Sequence, residues 1–208
     1  MTFSKTISDA DQLHRIFNNL KVYDWQSINN IPFNDGIYIV FEKGEIYHGL
    51  NRIVRVGINE SQDRFKQRLK DHFIRQNHNG SIFRKNVGRA ILHRDKDQYL
   101  PIWNTSKAKE VDKNKEKEIE QKVTDYMRSS FTFCVFKVDD IKERPRMEKA
   151  IIATLNQADD FKPSPNWLGN NSPEVEICQS GMWLKEGLND SPITELEMSR
   201  LQELLPFG

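Results

Sequence analysis

The chain has 208 residues, which is enough for one domain with a self-sufficient core. Charged residues make up 29% of it and hydrophobic residues 37%, a balance typical of globular proteins in water. No apolar run approaches the roughly 20 residues that span a bilayer, and the first residues lack the apolar stretch of a signal peptide. These features argue against a protein built on membrane-spanning helices, and we expect a cytoplasmic protein with no membrane partner.

A local block of positive charge interrupts an almost neutral sequence. The formal net charge is only +1, yet residues 64–94 contain nine Lys and Arg residues and a single acid, Asp71. Such a block is typical of a phosphate-binding face, although a solvated helical surface balanced by acids elsewhere would have the same composition. The residues that we expect to bind nucleic acid are Arg64, Arg75, Arg84, Lys85 and Arg89.

Hydrophobic periodicity divides the chain into a series of short elements. In chain order they are a helix over 8–20, strands over 37–41 and 46–58, helices over 61–76 and 81–94, a charged helix within 107–130, a strand over 131–140, and helices over 145–157 and 192–205. Together they predict an α+β fold with a small mixed three-stranded sheet flanked by helices.

The domain organisation predicted from this order is a single domain over residues 1–208. Its core would run from about 34 to 168 and would contain a helical insertion at about 95–130. Residues 169–208 would form a C-terminal extension.

The first two strands carry two polar residues on one face. Glu42–Glu45 reads as the hairpin turn between them. Because side chains alternate along a strand, Val54 should face the core, with Ile53 and Arg55 on the opposite face. Tyr38 should emerge on that same face beside Arg55.

The helix after these strands has two adjacent stripes. Phe65, Leu69 and Phe73 recur every four residues and form the buried stripe. Arg68 and His72 lie on the neighbouring stripe and point the same way.

Four of these polar residues suit phosphoryl chemistry. A tyrosine such as Tyr38 can relay or accept a proton when cations stand nearby. Arginine suits phosphate because it stays charged and matches phosphate geometry with two parallel donors, which favours Arg68 near His72. Glu148, in the first turn of its predicted helix, could hold Mg²⁺ if waters and a phosphate completed the octahedron.

The order of these residues resembles the GIY-YIG nuclease family. The matching features are GIY at 36–38, RVG at 55–57, Arg68 and His72 on one helix, Glu148 on a later helix and Asn166 beyond it. The segments GSIFRKNVG (80–88), PSPNWLG (163–169) and SGMWL (180–184) also resemble bacterial proteins that carry this domain.

The resemblance implies a role for each matched residue. Tyr38 would help to activate the attacking water, Arg68 would stabilise the pentacovalent phosphate, and His72 would assist orientation or proton transfer. Glu148 would bind a single Mg²⁺ (or Mn²⁺), and Asn166 would support that site. The implied activity is a metal-dependent DNA endonuclease that cuts one strand per active site, and a double-strand cut would then favour a homodimer.

The second motif departs from the family pattern. Arg55 stands in place of its tyrosine, and Tyr38 and Arg55 are 17 residues apart, longer than the usual spacing. An alternative alignment takes Tyr47-His48-Gly49 as the second motif, in which case Tyr47 or His48 could supply proton chemistry. We prefer RVG because its strand leads directly into the Arg-xxx-His helix.

Two other functions are compatible with the same residues. Loss of the second tyrosine favours a catalytically altered or inactive module that binds nucleic acid without cutting it. A protein that docks a partner through the charged helix at 107–130 is the third reading.

Overall fold

The computed structural model of the chain describes residues 7–105 and 110–205. Its strands are β1 Val22–Tyr23, β2 Gly36–Tyr47, β3 Leu50–Ile58 and β4 Phe131–Lys137. Its α-helices are α1 Asp9–Asn18, α2 Phe65–Phe73, α3 Ile82–Arg94, α4 Leu100–Thr105, α5 Lys113–Ser130, α6 Glu143–Asn156, α7 Val175–Ser180 and α8 Glu195–Leu204. The predicted α+β class is confirmed, and the predicted helical start at 107 lies outside the described residues.

The sheet differs from the predicted mixed three-stranded one. Its strand order is β1-β4-β2-β3, and all three pairings are antiparallel. The extra strand, β1, has only two residues, and Val22 pairs with Cys134 of β4. A strand this short leaves no hydrophobic alternation in the sequence, which is why the pattern did not indicate it.

Both faces of the sheet are buried. Ile37 and Ile39 of β2 pack in a first core with α1, α6 and α8. Tyr38 and Val40 face a second core, formed with α2, α3 and α5. Tyr38 is therefore fully buried, and the face on which it lies is a second packed interior and not a solvated surface.

A β-bulge in β3 changes the predicted alternation. Val40 pairs with Arg55 but Phe41 pairs with Ile53, so Val54 is an extra residue with no partner across β2. Ile53 consequently lies in the first core and Val54 in the second, the reverse of the prediction. Arg55 keeps its predicted place on the same face as Tyr38.

The turn between β2 and β3 also lies elsewhere. β2 continues to Tyr47, and the chain reverses at His48 and Gly49, which both have positive φ. The predicted turn at Glu42–Glu45 is wrong: it is a register irregularity within β2, where Gly44 has a φ of +91°. The alternative second motif at 47–49 is therefore the hairpin turn itself.

The segment after α7 closes the edge of the sheet at β3. The buried Glu42 carboxylate accepts hydrogen bonds from the indole nitrogens of Trp167 (2.7 Å) and Trp183 (2.8 Å). The backbone N–H of Trp183 donates to the Val54 carbonyl at 2.7 Å, so the bulged residue supplies an acceptor on the free edge of β3. These bonds fix residues 182–187 beside β3.

Helix α6 begins two residues earlier than predicted. It starts at Glu143, with Arg144 buried against Asp35 in an ion pair of 2.9 Å. Glu148 is therefore in the second turn and not in the first. Favourable interaction with the helix dipole, which is confined to the first turn, does not explain its position.

No helix within the described ranges is both long enough and apolar enough to cross a bilayer.

Candidate active site

A cleft of about 290 Å³ opens between the β2–β3 pair, three helices and the segment after α7. Its polar lining includes Tyr38, Arg55, Arg68, Asn86 and Glu148. Its apolar lining is Val56, Ile58, Ile82, Ile152 and Leu184. The remaining lining residues are Glu60, Lys149, Lys185, Glu186 and Gly187. Four of the six predicted catalytic residues therefore meet at one cleft.

His72 lies directly behind Tyr38. The Tyr38 hydroxyl is 2.8 Å from His72 Nε2, and His72 Nδ1 is 2.6 Å from the Ser81 hydroxyl at the start of α3. The Ser81 oxygen also accepts the Arg84 backbone N–H at 3.2 Å. One nitrogen of a neutral imidazole donates and the other accepts, so Ser81, His72 and Tyr38 form one continuous hydrogen-bonded chain.

His72 is neutral at physiological pH. Complete burial lowers its pKa well below the usual range, and the positive charges of Arg55, Arg68 and Arg84 lower it further. A neutral imidazole with one N–H is what the Ser81–His72–Tyr38 chain requires.

Gly57 explains the glycine of the second motif. Gly57 pairs with Tyr38 across the strands, and a Cβ built on Gly57 would lie about 2 Å from the Tyr38 ring and hydroxyl. Any side chain at this position would displace the tyrosine. This contact supports RVG, and not residues 47–49, as the second motif.

Arg55 is held rigidly at the back of the cleft. Its guanidinium donates to the Trp183 carbonyl and lies 4.9 Å from the centre of the Phe83 ring. Its Nε has no hydrogen-bond partner among the described residues although it is buried. Arg55 also lines the cleft, so its guanidinium places a fixed positive charge on the cleft wall, which favours binding of an anion.

Arg68 and Glu148 face the cleft without pairing. Within the described ranges, neither side chain makes a hydrogen bond or an ion pair. The two still interact at a distance, since Arg68 and Arg55 both lower the pKa of Glu148. A phosphate with a metal ion could occupy the space between opposite charges that do not neutralise each other directly.

The Glu148 carboxyl is hard to ionise in this setting. Burial raises its pKa to about 7, and the negative charges of Glu186 and Glu60 add to that effect against the two arginines. A divalent cation would favour the ionised form.

The donors present suit magnesium better than a transition metal. The described part of the chain has no group of three or more His, Cys, Asp or Glu residues that could hold a metal. Three carboxylates line the cleft, and Glu148 is the half-buried one, whereas Glu60 and Glu186 are exposed. Mg²⁺ is commonly bound through one or two carboxylates, with waters and substrate phosphates as the other ligands.

The asparagine on the cleft is Asn86 and not the expected Asn166. Asn166 is exposed in the loop before Trp167 and does not line the cleft. Asn86, which sequence reasoning missed, is buried on α3 and does line it. The only signal for Asn86 was its spacing of four residues from Ile82 on a helix, a relation that many residues of any helix share.

The expected nucleic-acid-binding residues divide into two groups. Arg64 and Arg75 are exposed, and Arg64 lies with Arg68 in a shallow depression next to the cleft. Lys85 is half-buried, and burial lowers its pKa. The side chain of Arg89 is only 12% exposed and pairs with Glu174.

Arg84 does not fit its predicted role. Its guanidinium is fully buried and donates to the carboxylate of Glu120, to the His72 carbonyl at 3.1 Å and to the Thr124 hydroxyl at 2.7 Å. Burial alone would raise the pKa of Glu120, but hydrogen bonds from His78 and the charge of Arg84 lower it. The prediction that Arg84 binds nucleic acid is wrong, because the pair with Glu120 joins α3 to α5 inside the protein.

Tyr47 and His48 lie at the hairpin turn and do not line the cleft. The Tyr47 hydroxyl donates to Asp160 at 2.9 Å, and His48 Nδ1 is 2.7 Å from Asp11. Burial and hydrogen bonding to Asp160 raise the pKa of Tyr47 to about 12. Neither residue is placed to take part in chemistry at the cleft.

A GIY-YIG domain model matches the chain over residues 5–204, nearly its whole length. The chain belongs to the GIY-YIG family, whose domain indicates nuclease-type activity. No curated protein and no solved structure gives a significant match.

Proposed function

We propose that this protein is a divalent-metal-dependent DNA endonuclease that hydrolyses phosphodiester bonds. The observation that carries the proposal is the meeting of an unpaired arginine, Arg68, and an unpaired carboxylate, Glu148, on the cleft lined by Tyr38 and Arg55. Structural ion pairs would bring such charges into contact, whereas here each is left available to a ligand.

Arg55 and Arg68 would hold the scissile phosphate. Negative charge grows on the phosphate oxygens as water attacks, and fixed cations that need no reorganisation stabilise it. Arg55 is already immobilised by Trp183 and Phe83, so it pays little further entropy on binding. Arg68 is half-buried and keeps its full set of donors for the substrate.

Tyr38 would contact the attacking water. Its hydroxyl is hydrogen-bonded to His72 Nε2, and this bond fixes the position of the Tyr38 oxygen at the cleft. Water adds to phosphorus, the bond from phosphorus to the leaving oxygen breaks, and the products are one free hydroxyl and one terminal phosphate.

Glu148 would hold the metal, Mg²⁺ or Mn²⁺. When bound, the ion supplies Lewis-acid stabilisation of charge on the phosphate and the leaving oxygen. Glu148 must be ionised for this, and the cation would lower its raised pKa.

Plasmid nicking with Mg²⁺ tests the proposal. We expect Arg68→Ala and Glu148→Ala each to reduce the rate by about 10²–10³-fold, as is common when one preorganised charge-stabilising contact is lost. The matched control is Arg200→Ala, which removes an exposed arginine of α8 that pairs with Glu143. Cleavage by both cleft variants at the wild-type rate would overturn the site assignment.

A second function is favoured by Arg55 itself. Because Arg55 replaces the tyrosine of the second motif, the cleft could bind DNA without cutting it. That module would show salt-sensitive DNA binding, as counterion release requires, and no cleavage with any divalent ion. The homodimer stays a prediction, tested by the oligomeric state on DNA.

A further inference from the structure

Asn86 is a buried amide on the wall of the cleft with no role in the site described so far. Its side chain is on α3, one turn after Ile82, which also lines the cleft. The residue is only 1% exposed. A buried amide needs partners for both its oxygen and its nitrogen, since an unpaired polar group in the interior is costly.

The oxygen has a partner that fixes the orientation of the whole amide. Asn86 Oδ1 accepts a hydrogen bond from Arg89 Nη1 at 2.8 Å. A guanidinium can only donate, so the amide must turn its oxygen toward Arg89 and its NH₂ group away.

Arg89 is itself held in place from two other sides. Its Nε donates to Asn104 Oδ1 at 2.6 Å, and Nη1 lies 3.0 Å from the Glu174 carboxylate. The direction of the Asn86 amide is therefore built into the packing of α3, α4 and the start of α7.

The NH₂ group is the part of Asn86 left for a ligand. Within the described chain it has no acceptor, and the fully buried side-chain atoms without a partner belong only to Arg55 and Arg144. Asn86 lines the cleft, so the space next to its amide is the cleft that Arg55 and Arg68 also line.

We propose that Asn86 binds a non-bridging oxygen of a DNA phosphate in the cleft, with its amide NH₂ group as donor and Arg89 as the positioning residue. The cleft already presents two cations, so an anion is the ligand that the additional donors complement. This inference rests on DNA being the substrate of the proposed function, but it concerns binding and does not depend on cleavage.

Asn86→Asp is the sharpest variant because it keeps the shape of the side chain. One carboxylate oxygen still accepts from Arg89, while the other replaces the donor with a negative charge facing the phosphate. The matched control is Asn104→Asp, which adds the same charge next to the same arginine but on its other side, where the residue does not line the cleft.

The measurement is the Kd of a short fluorescent DNA duplex, with Ca²⁺ in place of Mg²⁺, together with nicking of plasmid with Mg²⁺. We expect Asn86→Asp to weaken binding by at least about tenfold, which corresponds to about 1.4 kcal/mol, and Asn104→Asp to stay within about twofold. Asn86→Ala, which removes the donors without adding charge, should weaken binding less but leave the salt dependence of Kd unchanged, because no phosphate-neutralising charge is lost.

The outcomes separate the two proposals. Equal Kd values for Asn86→Asp and wild type, or equal losses for Asn86→Asp and Asn104→Asp, would overturn the role of Asn86. If wild type binds the duplex but never nicks the plasmid, the endonuclease proposal fails while the Kd comparison still decides on Asn86. Wild type that binds no DNA overturns both.

Discussion

Two tyrosine–histidine pairs of the described residues, Tyr38 with His72 and Tyr47 with His48, have neighbouring charges of opposite sign. Tyr38 is joined to His72 by a hydrogen bond of 2.8 Å, and the nearby charges are Arg55 and Arg68. Tyr47 and His48 stack with ring centres 4.2 Å apart, and the charges around them are the carboxylates of Asp11 and Asp160.

The difference shows that residue type alone does not define a nuclease site. At the hairpin turn, carboxylates are hydrogen-bonded to the polar atoms of both rings. Burial, together with the Asp160 carboxylate, raises the pKa of Tyr47 to about 12. At the cleft, the polar atoms of the pair are directed by Ser81, and the neighbouring cations are free to take an anion. Only the Tyr38–His72 pair lies where a phosphate could bind.

The largest loss of activity should follow when the Glu148 carboxylate of the cleft is neutralised. We expect Glu148→Gln to reduce nicking by about 10²–10³-fold, because the proposed metal ligand is lost. We also expect this variant to be more stable than wild type above neutral pH. Thermal unfolding at about pH 8 should show a Tm increase of about 2–4 °C for each kcal/mol of relieved desolvation.

The sign follows from the pKa of Glu148. Its folded-state pKa of about 7 lies above the ordinary value of 4.5. Between pH 4.5 and about 7, the Glu148 carboxyl is protonated in the folded state but largely ionised in the unfolded state. The free energy of unfolding of the wild type therefore falls as pH rises through this range. Below about pH 4 the group is neutral in the folded and unfolded states of both proteins, so their Tm values should converge, whereas the cleavage rate should rise with pH toward 7. A variant less stable than wild type at high pH would contradict the burial of an unpaired charge.

A smaller effect is expected from the serine behind the cleft pair. Ser81→Ala removes the hydrogen bond to His72 Nδ1 and the N-cap of α3. The lost cap should cost about 1 kcal/mol of unfolding free energy. We expect nicking to fall by roughly tenfold, within the range for lost positioning of a catalytic group.

The readout that separates positioning from stability is the conservative variant. Ser81→Thr keeps both the hydroxyl and the cap and should restore the rate. A Ser81→Ala protein that is destabilised but nicks at the wild-type rate would show that the Ser81–His72–Tyr38 chain has no part in the reaction.

Much of the fold could be read from local pattern. The helix carrying Arg68 and His72 and the amphipathic α5 follow from periodicity because each buries one face, whereas the strand of Tyr38 follows from its apolar run, since both of its faces are buried. The hairpin turn was misplaced because Gly44 in a charged run signals a turn and a bulge equally well. The bulge at Val54 left no mark in the sequence, since Ile53 and Val54 are both apolar and each packs in one of the two cores.

The site residues that belong to a sequence motif could be predicted. Those whose position depends on contacts with residues far away in the sequence could not. The number of charges in residues 64–94 does not reveal that Arg84 pairs with the buried Glu120, 36 positions away. Nor could it find Asn86, whose direction is set by Arg89 and residues of two other helices. The contribution of Trp183, which fixes Arg55 from the C-terminal extension, likewise depends on tertiary contact.

The most direct test of the account compares the two tyrosines by the same substitution. Single-turnover nicking of plasmid DNA with Mg²⁺ would be measured for wild type, Tyr38→Phe and Tyr47→Phe, each of which removes one hydroxyl from a buried ring. The account predicts a loss of about 10²-fold or more for Tyr38→Phe, because that hydroxyl contacts the attacking water, and a change within about twofold for Tyr47→Phe. Equal rates for the two variants, or a greater loss for Tyr47→Phe, would contradict the assignment of the reaction to the cleft.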